Sequence, residues 1–139
     1  MKIPDRFGFY EFFAGGGMAR LGLGKNWNCL MANDLSQKKC RAYQINFGGS
    51  PELINKDVAQ LTAFDLPEER PMLAWASFPC QDLSLAGNRE GLNAKRSGTF
   101  WPFWNLIKTL DEGGRPVPLI VLENVAGAIT SHAGKDFRA

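Results

Sequence analysis

A chain of 139 residues with 45% apolar side chains can bury one core, and it is read as a single domain over residues 1–139. Sixteen Lys and Arg against 14 Asp and Glu leave a formal charge of +2, mildly basic, which permits a nucleic-acid partner without arguing for one. Cys29, Cys40 and Cys80 form no CxxC pair, and Lys2, Asp5 and Arg6 stand where a secretory leader would be apolar, so reduced thiols in the cytoplasm are expected. No apolar run approaches the roughly 20 residues of a membrane span. With His132 as its one histidine, the chain is poorly supplied for a His-dependent hydrolytic site or for a metal site.

In chain order, Phe7 to Phe13 reads as a buried strand ending at Ala14-Gly15-Gly16-Gly17, with helical character from Met18 to Leu23. Cys29 to Ala32 is a second strand. Ser36 is placed to cap a helix that runs to about Phe47 and stops at Gly48-Gly49. Leu53-Ile54 gives a third, short strand, and Met72 to Ser77 a fourth between Pro71 and Pro79. Phe103 to Leu110 suggests a helix closed by Gly113-Gly114, and Leu119 to Leu122 is a fifth strand. The alternation predicts an α/β fold: an open, mostly parallel sheet with helices on both faces. Ligands of such sheets bind outside the carboxyl ends of the strands, so functional residues should stand just after each strand.

They do. After the first strand, Gly15, Gly16 and Gly17 let the backbone turn sharply and approach a ligand, although such clusters also serve as plain tight turns. After the second, Asp34 stands 17 residues past Gly17, near where α/β nucleotide sites hold ribose hydroxyls; the alternative is an acid stabilising the helix after Ser36. After the third, Asp57 could accept from an adenine amino group with Val58 packed on the ring, or be a solvated loop acid. The glycines do not spell G-x-G-x-x-G, which disfavours a pyrophosphate-binding dehydrogenase. A ligand with ribose and adenine but no phosphates, such as S-adenosylmethionine, fits better.

The fourth strand ends in Ser77-Phe78-Pro79-Cys80-Gln81. Amides at a strand's carboxyl end favour a thiolate, and a thiolate attacks without a dedicated histidine; the alternative is a buried packing cysteine. Cys29, in an apolar strand, and Cys40, in mid-helix, are assigned to that packing role. The fifth strand ends in Leu122-Glu123-Asn124-Val125, and a carboxyl at an apolar strand end can hold its proton near neutrality, or serve as an ordinary loop residue. Adjacent fourth and fifth strands would bring Cys80 and Glu123 to one edge.

Phe13-Ala14-Gly15-Gly16-Gly17, Asn33-Asp34, Asp57-Val58, Phe78-Pro79-Cys80-Gln81 with Ser84, and Glu123-Asn124-Val125 stand in the order and rough spacing of the cytosine-5 DNA methyltransferase family. The chain resembles that family from Phe9 to Val125, and Ser97-Gly98-Thr99-Phe100 resembles a further family motif. The resemblance implies a Rossmann-like S-adenosylmethionine-dependent methyltransferase fold. Phe13, Ala14, Gly15, Gly16, Gly17 and Pro79 would shape the cofactor pocket, Asp34 would hold the ribose with Leu35 against the adenine, and Asp57 with Val58 would meet the adenine. Cys80 would add to carbon 6 of a flipped-out cytosine in DNA, with Glu123 at ring nitrogen 3.

Residues 82–97 would form a catalytic loop closing over DNA, where Gln81, Ser84, Arg89, Lys95 and Arg96 are the expected contacts; an ordinary solvated loop is the alternative. Trp101, Phe103 and Trp104 could stack on bases, but core packing is the preferred reading, as it is for Trp27. Two departures stand out: Met18 occupies a position usually glycine in the family, and the chain stops at Ala139. Full enzymes of the family continue with an arginine-containing motif, further strands and a target-recognition region. A partial domain with an unpaired sheet edge is therefore expected, favouring self-association or a partner chain that supplies the missing motifs. The alternatives are a non-catalytic cofactor-binding fragment, one part of a split enzyme, or an RNA methyltransferase.

Overall fold

The computed structural model describes residues 6–79 and 99–126. The strands are β1 (Phe7–Phe12), β2 (Trp27–Asp34), β3 (Leu53–Asn55), β4 (Leu73–Ala76) and β5 (Leu119–Leu122), and the helices are α1 (Met18–Leu23), α2 (Gln37–Phe47) and α3 (Phe100–Glu112). A 3-10 turn over Val58–Gln60 follows β3. All the described strand pairings are parallel, in the order β3-β2-β1-β4-β5. The chain lays β2 and β3 outward on one side of β1 and then crosses to place β4 and β5 on the other. The order reverses between β1 and β4, and that is where an open α/β sheet forms its ligand crevice.

The two-residue alternation of β1 divides its side chains between two faces. Tyr10 and Phe12 join Ala74 and Ala76 of β4 under α3, whose buried residues Phe103, Leu106, Ile107 and Leu110 form a single helical stripe. Alanines at 74 and 76 leave room for Phe103, which is fully buried and meets the Phe12 ring edge-on at 4.9 Å. On the opposite face, Tyr43 and Phe47 of α2 pack on Ala14, Ala32 and Leu53. Arg20 ties α1 to that helix: its guanidinium lies 4.3 Å from the Phe47 ring centre, donates to the Tyr43 hydroxyl at 2.8 Å, and pairs with Glu52. Each fully buried aromatic or leucine contributes about 1.5–3 kcal/mol relative to exposure. Helices thus cover both faces, as the alternation predicts.

Local signals set most boundaries. Ser36 caps α2 by accepting from the Lys39 amide, and Gly48 ends it at φ 74°. Strand β2 runs from Trp27 to Asp34, longer than the expected Cys29–Ala32, because β1 pairs with it from Trp27 to Asn33 and β3 pairs with Asn33 and Asp34. Helix α3 begins at Phe100, three residues before the expected Phe103. Its first turn tolerates Pro102, whose missing N–H would have had no partner there. Phe103 lies in the core and Phe100 and Trp104 pack against the same cluster, their rings stacked at 6.1 Å; half-buried Trp101 meets Phe100 at 5.1 Å, and half-buried Trp27 covers Phe7 at 5.5 Å. No helix among the described residues is long and apolar enough to cross a membrane.

Candidate functional site

The strand ends build one rim. Phe13 leaves β1 at φ 56°, a left-handed conformation that costs a non-glycine residue energy and turns the chain abruptly out of the sheet. Ala14 then donates to the Asn33 carbonyl at 2.9 Å, and Gly15 to Asp34 Oδ2 at 2.9 Å. Asp34 Oδ1 accepts from the Ser36 amide at 2.8 Å. Asp34 thus ties the start of α2 to the β1 exit and also stands at the rim. On the next strand end, Asp57 caps the 3-10 turn by accepting from Ala59 at 2.9 Å through Oδ1, with Val58 buried beneath it.

Phe13, Asp34, Leu35, Asp57, Val58 and Pro79, all expected at the cofactor from sequence, line one cavity of about 450 Å³. Asn33, Ser36, Lys39, Ser77 and Thr99 complete its wall; Thr99 immediately precedes the first residue of α3. The glycine turn borders this cavity without lining it. Ala14 is buried on the opposite face with Tyr43. Gly17, at φ 83°, faces the Phe47 ring, which a Cβ there would meet at 2.2 Å. Gly15, at φ 57°, has nothing within 4 Å of the position a Cβ would take.

Glu123 is exposed and opens onto a second cavity of about 420 Å³ with Met18, Trp75 and Ser77. Ser77 borders both cavities. The Glu123 amide donates to the Ala76 carbonyl at 3.0 Å, and Asn124 Nδ2 reaches the Phe78 carbonyl at 3.4 Å. These contacts hold the end of β5 beside the Phe78-Pro79 segment. Cys80, Gln81, Ser84, Arg89, Lys95 and Arg96 lie outside the described residues.

The remaining thiols behave as packing groups. Burial pushes Cys29 up to about 11, and burial likewise raises buried Cys40, whose Sγ lies 3.5 Å from the Asp34 carbonyl. Sequence reasoning passed over Glu11. Its side chain faces α1 from mid-sheet, 2% exposed, with Oε1 accepting from the Ala19 amide at 3.2 Å and Oε2 without a partner among the described residues. Burial lifts this carboxyl to about 7. The signal was available: one acid inside the aromatic run Phe7 to Phe13.

The family model of the C-5 cytosine-specific DNA methylase matches residues 7–139. The type II methyltransferase M.BsuFI of Bacillus subtilis is 30% identical over 131 residues, covering 94% of this chain and 30% of that protein. M.BanI of Aneurinibacillus aneurinilyticus is 30% identical over 145 residues, covering 99% of this chain and 30% of that protein. The chain thus spans under a third of the length of these relatives. Among solved structures, the Dnmt2 methyltransferase of S. pombe superposes with a TM-score of 0.70 at 26% identity, covering 96% of this chain and 40% of that one. The parallel sheet, its switch-point cavity and the acids at the end of β2 and after β3 agree with these likenesses: the chain belongs to the C-5 cytosine-specific DNA methylase family.

Proposed function

We propose that this chain carries the cofactor-binding and catalytic part of an enzyme that transfers a methyl group from S-adenosylmethionine to carbon 5 of cytosine in DNA. One observation carries the reading: a single cavity gathers residues from the ends of four strands, with carboxylates at the β2 and β3 ends. The residues fit the donor. Each Asp34 oxygen accepts one backbone N–H, which leaves further lone pairs for ribose hydroxyls. Asp57 uses Oδ1 on Ala59, leaving Oδ2 for an adenine amino group between Val58 and Leu35. The open space over Gly15 gives the donor's methionine end a path along the turn.

S-adenosylmethionine supplies an electrophilic methyl group on a sulfonium. The chain's own residues make carbon 5 nucleophilic. The Cys80 thiolate adds to carbon 6 of a cytosine turned out of the stack, forming a carbon–sulfur bond and moving electron density to carbon 5, while Glu123 holds a proton at ring nitrogen 3. A methyl delivered from the sulfonium would leave the donor as the neutral thioether S-adenosylhomocysteine, after which loss of the carbon 5 proton to solvent breaks the bond to Cys80 and restores the ring. Gln81, Ser84, Arg89, Lys95 and Arg96 are the proposed contacts to the polynucleotide, the basic ones through phosphates.

Incubating the 139-residue chain with tritiated S-adenosylmethionine and DNA containing 5-fluorocytosine tests this, because fluorine at carbon 5 blocks the final proton loss. A covalent adduct that Cys80→Ser abolishes is expected. An adduct that persists in Cys80→Ser would remove Cys80 as nucleophile, and trapping on fluorocytosine RNA but not DNA would change the substrate.

A further inference from the structure

We propose that Asn33 and Asn55 are positioning residues that set the spacing between the ribose-holding Asp34 and the adenine-holding Asp57; this rests on the cofactor reading above. The two amides form a reciprocal clasp. Asn33 Nδ2, on β2, donates to the carbonyls of Ile54 at 3.0 Å and Lys56 at 2.8 Å, either side of the end of β3. Asn55 Nδ2, on β3, donates to the carbonyls of Asp34 and Leu35, each at 2.9 Å, at the end of β2. Each amide spends both of its donors on the neighbouring strand's exit.

The clasp sits where the backbone ladder runs out. Strand β3 has three residues, paired Ala32 with Leu53, Asn33 with Ile54 and Asp34 with Asn55. So short an edge strand fixes its own exit weakly. The chain nevertheless reaches Asp57 two residues later, and Asp57 lines the same cavity as Asp34. Four side-chain donations beyond the ladder hold both exits before any ligand arrives, so the ordering cost is met in folding and not in binding. A carboxylate at either position would set acceptors against carbonyls, and an aliphatic side chain would leave the carbonyls unpaired at Asn33 and open to water at Asn55. Asn33 is 1% exposed, which shields its two bonds from that exchange, whereas Asn55 lies at the surface.

Calorimetric titration of the full chain with S-adenosylhomocysteine tests the proposal, using wild type, Asn55→Ala, Asp57→Ala and the double variant. Asn55 is exposed, so its replacement leaves the core intact, and melting curves recorded in parallel verify that each variant is folded. Asn55→Ala should bind about tenfold more weakly than wild type. In the Asp57→Ala background the same replacement should cost under about threefold, because spacing to an absent carboxylate no longer matters. Affinity of Asn55→Ala within about twofold of wild type, or an undiminished loss in the double variant, overturns the clasp alone. Wild-type chain that binds no S-adenosylhomocysteine overturns the cofactor reading and the clasp with it. Asn33→Asp, equal in size but without the two donors, is the second variant and should weaken binding in the same way.

Discussion

The Asp34 carboxylate takes the Gly15 N–H at 2.9 Å on one oxygen while its other oxygen takes the Ser36 N–H at 2.8 Å, so one nearly buried side chain pins the β1 exit to the start of α2. Replacing Asp34 by Asn turns one acceptor into a donor facing an amide. One bond is lost and a donor–donor contact appears, costing about 1–3 kcal/mol. Urea unfolding should show that loss, and S-adenosylhomocysteine affinity should fall with it. Unchanged unfolding would mean that the clamp holds nothing together.

Signals confined to a few residues were readable in the sequence. Ser36 and Gly48 mark α2 because cap chemistry is local, and the placement of Asp34 and Asp57 at strand exits followed from the rule for parallel sheets, although Asp34 is itself the last residue of β2. The neighbouring of β4 and β5, expected so that Cys80 and Glu123 share an edge, is borne out by the register of Ala76 with Leu122. What sequence could not supply depends on tertiary packing. The early start of α3, the 3-10 turn after Asp57, and the opening of Glu123 onto a different cavity from Asp34 all follow from how elements settle on the sheet. Glu11 stands between the two: its place inside an aromatic run was legible, but only packing shows that its carboxyl is sealed under α1.

Glu11 gives the chain a predictable response to pH. Burial moves its carboxyl from the ordinary 4.5 to about 7, so between those values the folded state holds a proton that the unfolded state releases. Stability from this group is therefore highest below pH 4.5, falls as pH rises through about 7, and is level above that; the drop is on the order of 3 kcal/mol. Glu11→Gln keeps an acceptor for Ala19 and removes the titration. Urea midpoints at pH 5 and pH 8 should converge for this variant relative to wild type, with the variant the more stable at pH 8. Parallel pH profiles for the two proteins would contradict the assignment.

Phe103 separates core packing from base stacking. Its ring is fully buried against Phe12 and is not among the residues that line the cavity holding Asp34 and Asp57. Phe103→Ala should lower stability by about 3–5 kcal/mol. If the variant still folds at low temperature, its S-adenosylhomocysteine affinity there should stay close to wild type. A variant of normal stability that loses DNA binding would return Phe103 to the stacking role.

The three consecutive glycines look equivalent in sequence, yet the structure ranks them. Gly16 has an ordinary φ, and a Cβ there would lie 3.4 Å from Asn46 Nδ2, a contact the side chain can absorb. Gly15 has φ 57° with open space around it, so Gly15→Ala carries the left-handed cost alone, about 1–2 kcal/mol. Gly17 combines φ 83° with the Phe47 ring 2.2 Å from a new Cβ and Tyr43 at 3.0 Å. Phe47 is itself held beneath the Arg20 guanidinium, so it cannot swing away without breaking that contact. Overpacking adds about 1–3 kcal/mol to the backbone cost at Gly17. Thermal melts of the three alanine variants should therefore fall in the order Gly16, Gly15, Gly17, with Gly17→Ala the least stable. S-adenosylhomocysteine titration should give a different order, since a methyl at Gly15 alone intrudes on the open path beside Asp34, so Gly15→Ala should lose more affinity than its stability loss accounts for. Affinity that simply follows melting temperature across the three would place the donor's methionine end elsewhere.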